Sequence, residues 1–136
     1  MYPKLTLAIA ADTSGSCFDK DTIGQFSAEI EHISKNNVKV IVLTFDSEVH
    51  QVFDFDKRTF DKIKFEGGGG TMFQPVFDKC NELEIDGLIM LTDGMNFEGD
   101  QLKKPKNFSV MWALLKGYKK PYEWGSSTQI EIQRKS

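Results

Sequence analysis

Asp12, Ser14 and Ser16 stand at alternate positions directly after the apolar run LTLAIAA. Thr71 closes a run of four glycines, and Asp93 follows a second apolar run in GLIMLTDG. Every one of these side chains offers oxygen and nothing softer. Two carboxylates with three hydroxyls suit a hard cation, Mg²⁺ or Mn²⁺ in its place, rather than zinc. Mg²⁺ takes six oxygens in near-octahedral array and gives up water reluctantly, so water should fill some of the places. A turning loop can aim Asp12, Ser14 and Ser16 at one point, and Gly15 relaxes the backbone for that turn. The glycines at 67 to 70 let a second loop approach closely and present Thr71. If the two carboxylates act partly through water, the hydroxyl-rich inner shell leaves the cation electrophilic enough to accept an external carboxylate.

Each piece has a plainer reading by itself. DTSGS fits a helix cap and turn, GGGGT a flexible loop, and TDG an ordinary turn. Their common placement at the ends of strand-like runs argues for one shared site. Asp46 reads as a hairpin turn residue, with a supporting place beside the site as the alternative. Cys17, a soft ligand beside a hard ion, reads as structural.

The elements that must position these residues follow from periodicity. Residues 4–11, 38–45, 87–92 and 108–115 are nearly continuous apolar runs of strand length, as in a parallel sheet covered on both faces. Ile23, Phe26, Ile30 and Ile33 recur at helical steps after Asp19 or Asp21 as caps. A second helix is expected from about Phe73 to Leu83, with Pro75 in its first turn and Val76, Phe77, Cys80 and Leu83 facing the core. TFDSEVHQVFDF reads as a hairpin that turns at Asp46 to Glu48, which makes residues 49–55 an antiparallel edge strand. GMNFEGDQLKKPKN and KGYKKPYEWGSS read as connections without helical periodicity, and TQIEIQ as a last strand with one solvated face. The sum is one α/β domain over residues 1–136: a doubly wound, Rossmann-like, mainly parallel sheet with one antiparallel edge strand. Ligands of such sheets bind beyond the carboxyl ends of the strands. The oxygen-bearing residues fall there.

Composition narrows the function classes. A net charge of −3, with the 17 basic residues scattered, gives no basic patch and argues against nucleic acid. No apolar run approaches the roughly 18 residues of a membrane span, and the apolar stretch before Ala8 and Ala10 is short for a secretory leader. Cys17 and Cys80 make neither a CxxC nor a disulfide framework, so a reduced, cytoplasmic setting is expected and Cys80 reads as packing. His32 and His50 stand in no zinc motif, and the glycine run lacks the GK[ST] of a phosphate-binding loop. An enzyme reading remains as the alternative, in which Asp12, Asp46 and Asp93 hold Mg²⁺ for phosphoryl transfer or hydrolysis. Against it, Ser14 stands where an aspartyl phosphatase of the DxDx[TV] type needs an acid, and no general acid or base is evident.

DTSGS, a threonine in a glycine loop and LIMLTDG together resemble the metal-ion-dependent adhesion site (MIDAS) of von Willebrand factor A (VWA) domains. That motif has the form DxSxS…T…D, and Asp12, Ser14, Ser16, Thr71 and Asp93 match all five of its positions. TFDSEV, GGGGTMFQPVFD and VMWALL look most like the VWA-like C-terminal domain of bacterial predicted metallopeptidases, often encoded near MoxR-type AAA+ ATPases. The resemblance implies the doubly wound fold and a divalent cation, usually Mg²⁺. It implies that Ser14 and Ser16 bind the ion directly, Thr71 directly or through water, and Asp12 and Asp93 mainly through coordinating waters. It further implies a protein-binding module with no catalysis of its own, whose partner offers a Glu or Asp carboxylate, an AAA+ assembly or its client among the candidates. The HExxH-bearing half of the metallopeptidases is absent from these residues, so peptidase activity is not carried over.

Overall fold

The computed structural model describes residues 5–13, 38–55, 70–96, 98–115 and 117–130. Six strands form one sheet: β1 (Leu5–Asp12), β2 (Val38–Phe45), β3 (Val49–Asp54), β4 (Gly87–Thr92), β5 (Ser109–Leu115) and β6 (Ser126–Ile130). Their spatial order is β3-β2-β1-β4-β5-β6. All neighbours run parallel except β2 and β3. The expected mainly parallel sheet with one antiparallel edge strand is therefore the architecture observed. Strand order reverses between β1 and β4, the seam where such sheets open a crevice for ligands.

The apolar runs become strands because both faces of the central sheet are covered. Ile9 and Ala11 of β1 join Val40, Val42, Leu91 and Ala113 in the core of one face. Ala8 and Ala10 point the other way and join Leu43, Met90 and Trp112 in the second. Helix α1 (Gln74–Leu83) lies on that second face, with Val76, Phe77 and Cys80 buried and Leu83 packed at its margin. Pro75 sits in its first turn, where the missing N–H costs nothing. Burial pushes the Cys80 thiol up to about 12. At neutral pH it is neither a nucleophile nor a metal ligand, which fits the packing role expected for it. Gly87 permits a close approach: a Cβ there would lie 2.9 Å from Leu7 Cδ2.

The hairpin turns at residues 46–48 as expected, and the β2–β3 ladder slips just before it. Thr44 pairs with Gln51 but Phe45 pairs with Val49, so His50 is an extra, bulged residue on β3. Bulges re-aim side chains, and this one turns His50 toward Asp46.

Two expectations about the second half need correction. The connection after β4 is more ordered than its periodicity suggested: it contains a 3-10 turn at Gly99–Gln101, and both Glu98 and Leu102 are buried. The last strand begins two residues earlier than expected, at Ser126, and Ser126 to Gln129 are exposed; the alternation expected over 128–133 falls largely outside the described side chains. It pairs on one side only, with β5, so its polar side chains stand exposed on both faces. Residues 131–133 and the first expected helix, with Asp19, Asp21, Ile23, Phe26, Ile30 and Ile33, lie outside the described residues. Among the described residues no helix is long and apolar enough to cross a membrane.

Candidate functional site

The carboxyl ends of β1, β2 and β4 carry the candidate site. Asp12 is the last residue of β1 and is fully buried. Ala11 pairs with Leu91, which brings Asp12 level with Thr92 across the seam between β1 and β4. The Thr92 hydroxyl donates to Asp12 Oδ2 at 2.8 Å and accepts the Gly94 N–H at 3.1 Å. One hydroxyl thus orients the buried carboxylate and starts the turn that carries Asp93. Sequence reasoning passed over Thr92, because only the register of two strands eighty residues apart gives it meaning.

Asp93 follows β4 directly, and its Oδ1 accepts the Met95 N–H at 2.9 Å, which fixes its side chain in a local turn. Gly94 at φ 85° serves that turn, and a Cβ there would also meet the Lys119 carbonyl oxygen at 3.0 Å. Thr71 is buried, just before α1. Its neighbour Met72 donates its N–H to the Asp46 carbonyl oxygen at 3.0 Å, which ties the Thr71 loop to the end of β2. Thr13 extends the β1 side: its N–H and hydroxyl both donate to the Phe45 carbonyl oxygen, at 2.8 and 3.0 Å. Asp12 and Asp93 thus stand at the carboxyl ends of the central strands β1 and β4, and the loop of Thr71 is tied to the end of β2. Ser14, Ser16 and Cys17 lie outside the described residues, as do the glycines at 67–69.

Among the described residues no three His, Cys, Asp or Glu side chains gather into a metal-binding group. The donors described, Asp12, Thr71 and Asp93, are all oxygen and suit a hard cation.

Asp46 has a local role. Its Oδ1 accepts the Glu48 N–H at 3.1 Å and lies 2.7 Å from His50 Nε2. Burial pushes its carboxyl upward. The Glu48 N–H, the hydrogen bond and charge of His50, and the Ser47 N–H outweigh burial and hold the group below its ordinary value of 3.8. A carboxyl whose folded pKa is lowered adds stability above its unfolded pKa and loses it as pH falls through the folded value. Asp46→Asn should therefore melt below the wild type at neutral pH, and the gap should close as pH drops below 3.8. Melting curves of both proteins from pH 7 to pH 3 check this, and a gap that stays constant refutes it.

Glu98, also unmarked by the sequence, closes the arrangement. Its Oε1 accepts the Phe73 N–H at 2.5 Å and its Oε2 the Gln74 N–H at 2.7 Å. The start of α1 is thus capped from 25 residues away, because Phe73 at the cap position supplies no side-chain hydrogen bond of its own.

Comparison with solved structures shows the same fold. The crystal structure of BatB from Bacteroides thetaiotaomicron is 14% identical with a TM-score of 0.65, and the match covers 95% of this chain and 91% of that one. An aerotolerance-related membrane protein from Bacteroides fragilis NCTC 9343 is 18% identical with a TM-score of 0.58, over 96% of this chain and 77% of that one. The ArnB paralog VWA2 from Sulfolobus acidocaldarius is 16% identical with a TM-score of 0.57, over 84% of this chain. Our chain spans about a third of that protein's length, 35%. None of the curated proteins compared with the chain is significantly similar to it. The family profile described as VWA-like domain (DUF2201) matches residues 7–131, nearly the whole sequence. The chain belongs to the family of VWA-like domains described as DUF2201.

Proposed function

We propose that this VWA-like domain is a divalent-cation-dependent protein-binding module. Asp12, Ser14, Ser16, Thr71 and Asp93 would hold Mg²⁺, at which a partner's Glu or Asp side chain completes the coordination. What supports the reading is that Asp12 and Asp93 stand at the carboxyl ends of neighbouring β1 and β4, with Asp12 oriented by Thr92, and that Met72, next to Thr71, is bonded to the end of β2. When bound, the cation supplies Lewis acidity toward a carboxylate. The chain itself supplies oriented oxygens and a tight backbone frame.

Two exposed methionines support a protein partner. Met72, 36% exposed, is tied to the end of β2, and Met95, 68% exposed, stands three residues beyond β4. β1 lies between these strands, so their ends are about 10 Å apart at about 4.8 Å per strand spacing. Methionine adapts to varied apolar surfaces, and this pair would frame an acidic side chain entering over Asp12. Resemblance to the VWA-like domain of bacterial metallopeptidases makes a MoxR-type AAA+ ATPase or its client the partner to look for, in the cytoplasm. The phosphoryl-transfer alternative needs Asp46 as a third acid, but its Oδ1 is engaged within its own turn.

The test is capture of partner protein from the source cell in Mg²⁺ and in EDTA. Capture should require Mg²⁺, and equal capture in EDTA sinks the reading. Joint replacement of Met72 and Met95 by serine should weaken capture several-fold while calorimetric Mg²⁺ affinity and melting temperature stay within error, since both side chains are exposed.

A further inference from the structure

Glu98 does more than cap a helix. Its side chain belongs to the loop that begins at Asp93, and the N–H groups that it binds begin two residues after Thr71. We propose that Glu98 is a positioning residue which holds the Thr71 and Asp93 arms of the site in register, so that neither arm moves alone.

The bonds argue for a tie with two anchored ends. On the α1 side, each carboxylate oxygen takes a different N–H from the start of the helix, where unpaired donors and the helix dipole both favour an anion. On the loop side, Asn96 Nδ2 donates to Glu98 Oε1 at 3.1 Å and to the Tyr122 hydroxyl oxygen at 2.8 Å. That hydroxyl donates to the Gly99 carbonyl oxygen at 2.9 Å. Tyr122 stacks on Trp124 with ring centroids 5.0 Å apart and an interplanar angle of 17°, so the loop end rests on packed aromatic rings. Glu98 itself is buried. Buried, charge-assisted and bidentate, the connection is short and stiff. A residue from the Asp93 loop thus does at α1 what a neighbouring Ser, Thr or Asp usually does, which makes the cap and the tie the same pair of bonds.

The consequence for ligand binding rests on the cation reading proposed above, whereas the coupling itself does not. Partners that orient metal ligands typically cost about 10- to 100-fold in affinity when removed. The experiment compares wild type with E98A and E98Q, with C80A as a control that loses core packing away from the site. In EDTA, E98A should speed amide exchange at Phe73 and Gln74 and, with them, at Gly94 and Met95 on the other arm. C80A should leave Gly94 and Met95 as in wild type. If E98A frees Phe73 and Gln74 while Gly94 and Met95 keep their protection, the arms are independent and the proposal is overturned.

Calorimetric titration with Mg²⁺ follows at a temperature where every variant is folded. E98A should bind about 10- to 100-fold more weakly than wild type. E98Q, which keeps one acceptor oxygen, should fall between, and C80A should match wild type. Equal affinity in E98A and wild type overturns the proposal. A wild type that takes up no Mg²⁺ overturns the cation reading instead, and amide exchange alone then decides the coupling. Should E98A fail to fold, E98Q gives both measurements.

Discussion

Asp12→Asn is expected to remove the protein's response to Mg²⁺ without weakening its fold. Asp12 is fully buried, and its Oδ2 accepts the Thr92 hydroxyl. An asparagine oxygen can accept the same bond, so the seam between β1 and β4 keeps its link while the negative charge is lost. Burying a neutral amide costs less than burying a carboxylate, so the variant should be no less stable than wild type in EDTA. With Mg²⁺ the order should reverse if Asp12 helps to hold the cation as proposed. A ligand at about 100 times its dissociation constant stabilises the folded state by about 2.7 kcal/mol, and a site without this acid would forgo most of that. Thermal melts of both proteins with and without Mg²⁺ are the measurement. A wild-type shift that survives intact in Asp12→Asn would remove Asp12 from the site. Asp12→Ala, by contrast, leaves the Thr92 hydroxyl without this acceptor and should also melt lower in EDTA, by about 1 kcal/mol.

Trp112→Ala should be the most damaging of the core substitutions considered. Trp112, on β5, is fully buried, with ring contacts to Phe73, Tyr122 and Trp124 at centroid distances of 5.2, 5.9 and 5.5 Å. Its Nε1–H donates to the Trp124 carbonyl oxygen at 3.2 Å. Truncation removes the ring, opens a cavity between sheet and α1, and takes a donor from that carbonyl. Such substitutions cost about 3–5 kcal/mol, against a total stability of about 5–15 kcal/mol for a domain. The melting point should fall by about 12–20 °C at about 4 °C per kcal/mol. Trp112→Phe, which keeps a ring and loses only the N–H and part of the volume, should cost less than half as much. Urea denaturation measures both, and a loss below about 1 kcal/mol for Trp112→Ala would mean that the aromatic cluster is not a cooperative part of the core.

Sequence reasoning reached the fold where local signals were strong. The runs before Asp12 and Asp93 are apolar throughout because both faces of β1 and β4 are covered, and that pattern needs no knowledge of neighbours. Pro75 and the step from Val76 to Cys80 mark α1 locally in the same way. The common placement of Asp12 and Asp93 was legible because the carboxyl ends of parallel strands share one side of the sheet, whereas Thr71 follows no parallel strand and is tied in by the Met72 N–H on the Asp46 carbonyl oxygen. Thr92, Glu98 and the His50 bulge were not legible. Thr92 gains its role from strand register, Glu98 from a helix start 24 residues before it in the chain, and His50 from a one-residue slip in a ladder. Each depends on which distant backbone comes alongside, and propensity carries no trace of that.

The bond between Thr92 and Asp12 joins residues 80 apart in the chain, and it bears on how the protein is made. At about 5–20 residues per second, a ribosome needs about 4–16 s to add Thr92 after Asp12. During that interval the nascent chain carries Asp12, but neither the strand whose Thr92 orients it nor Asp93. On the cation reading, an ion met at that stage would find only part of its ligand set and could not nucleate folding from the first strand. If Asp12 and Asp93 hold a cation as proposed, its capture would belong to the finished sheet, and a chain that stalls before β4 would be blind to it.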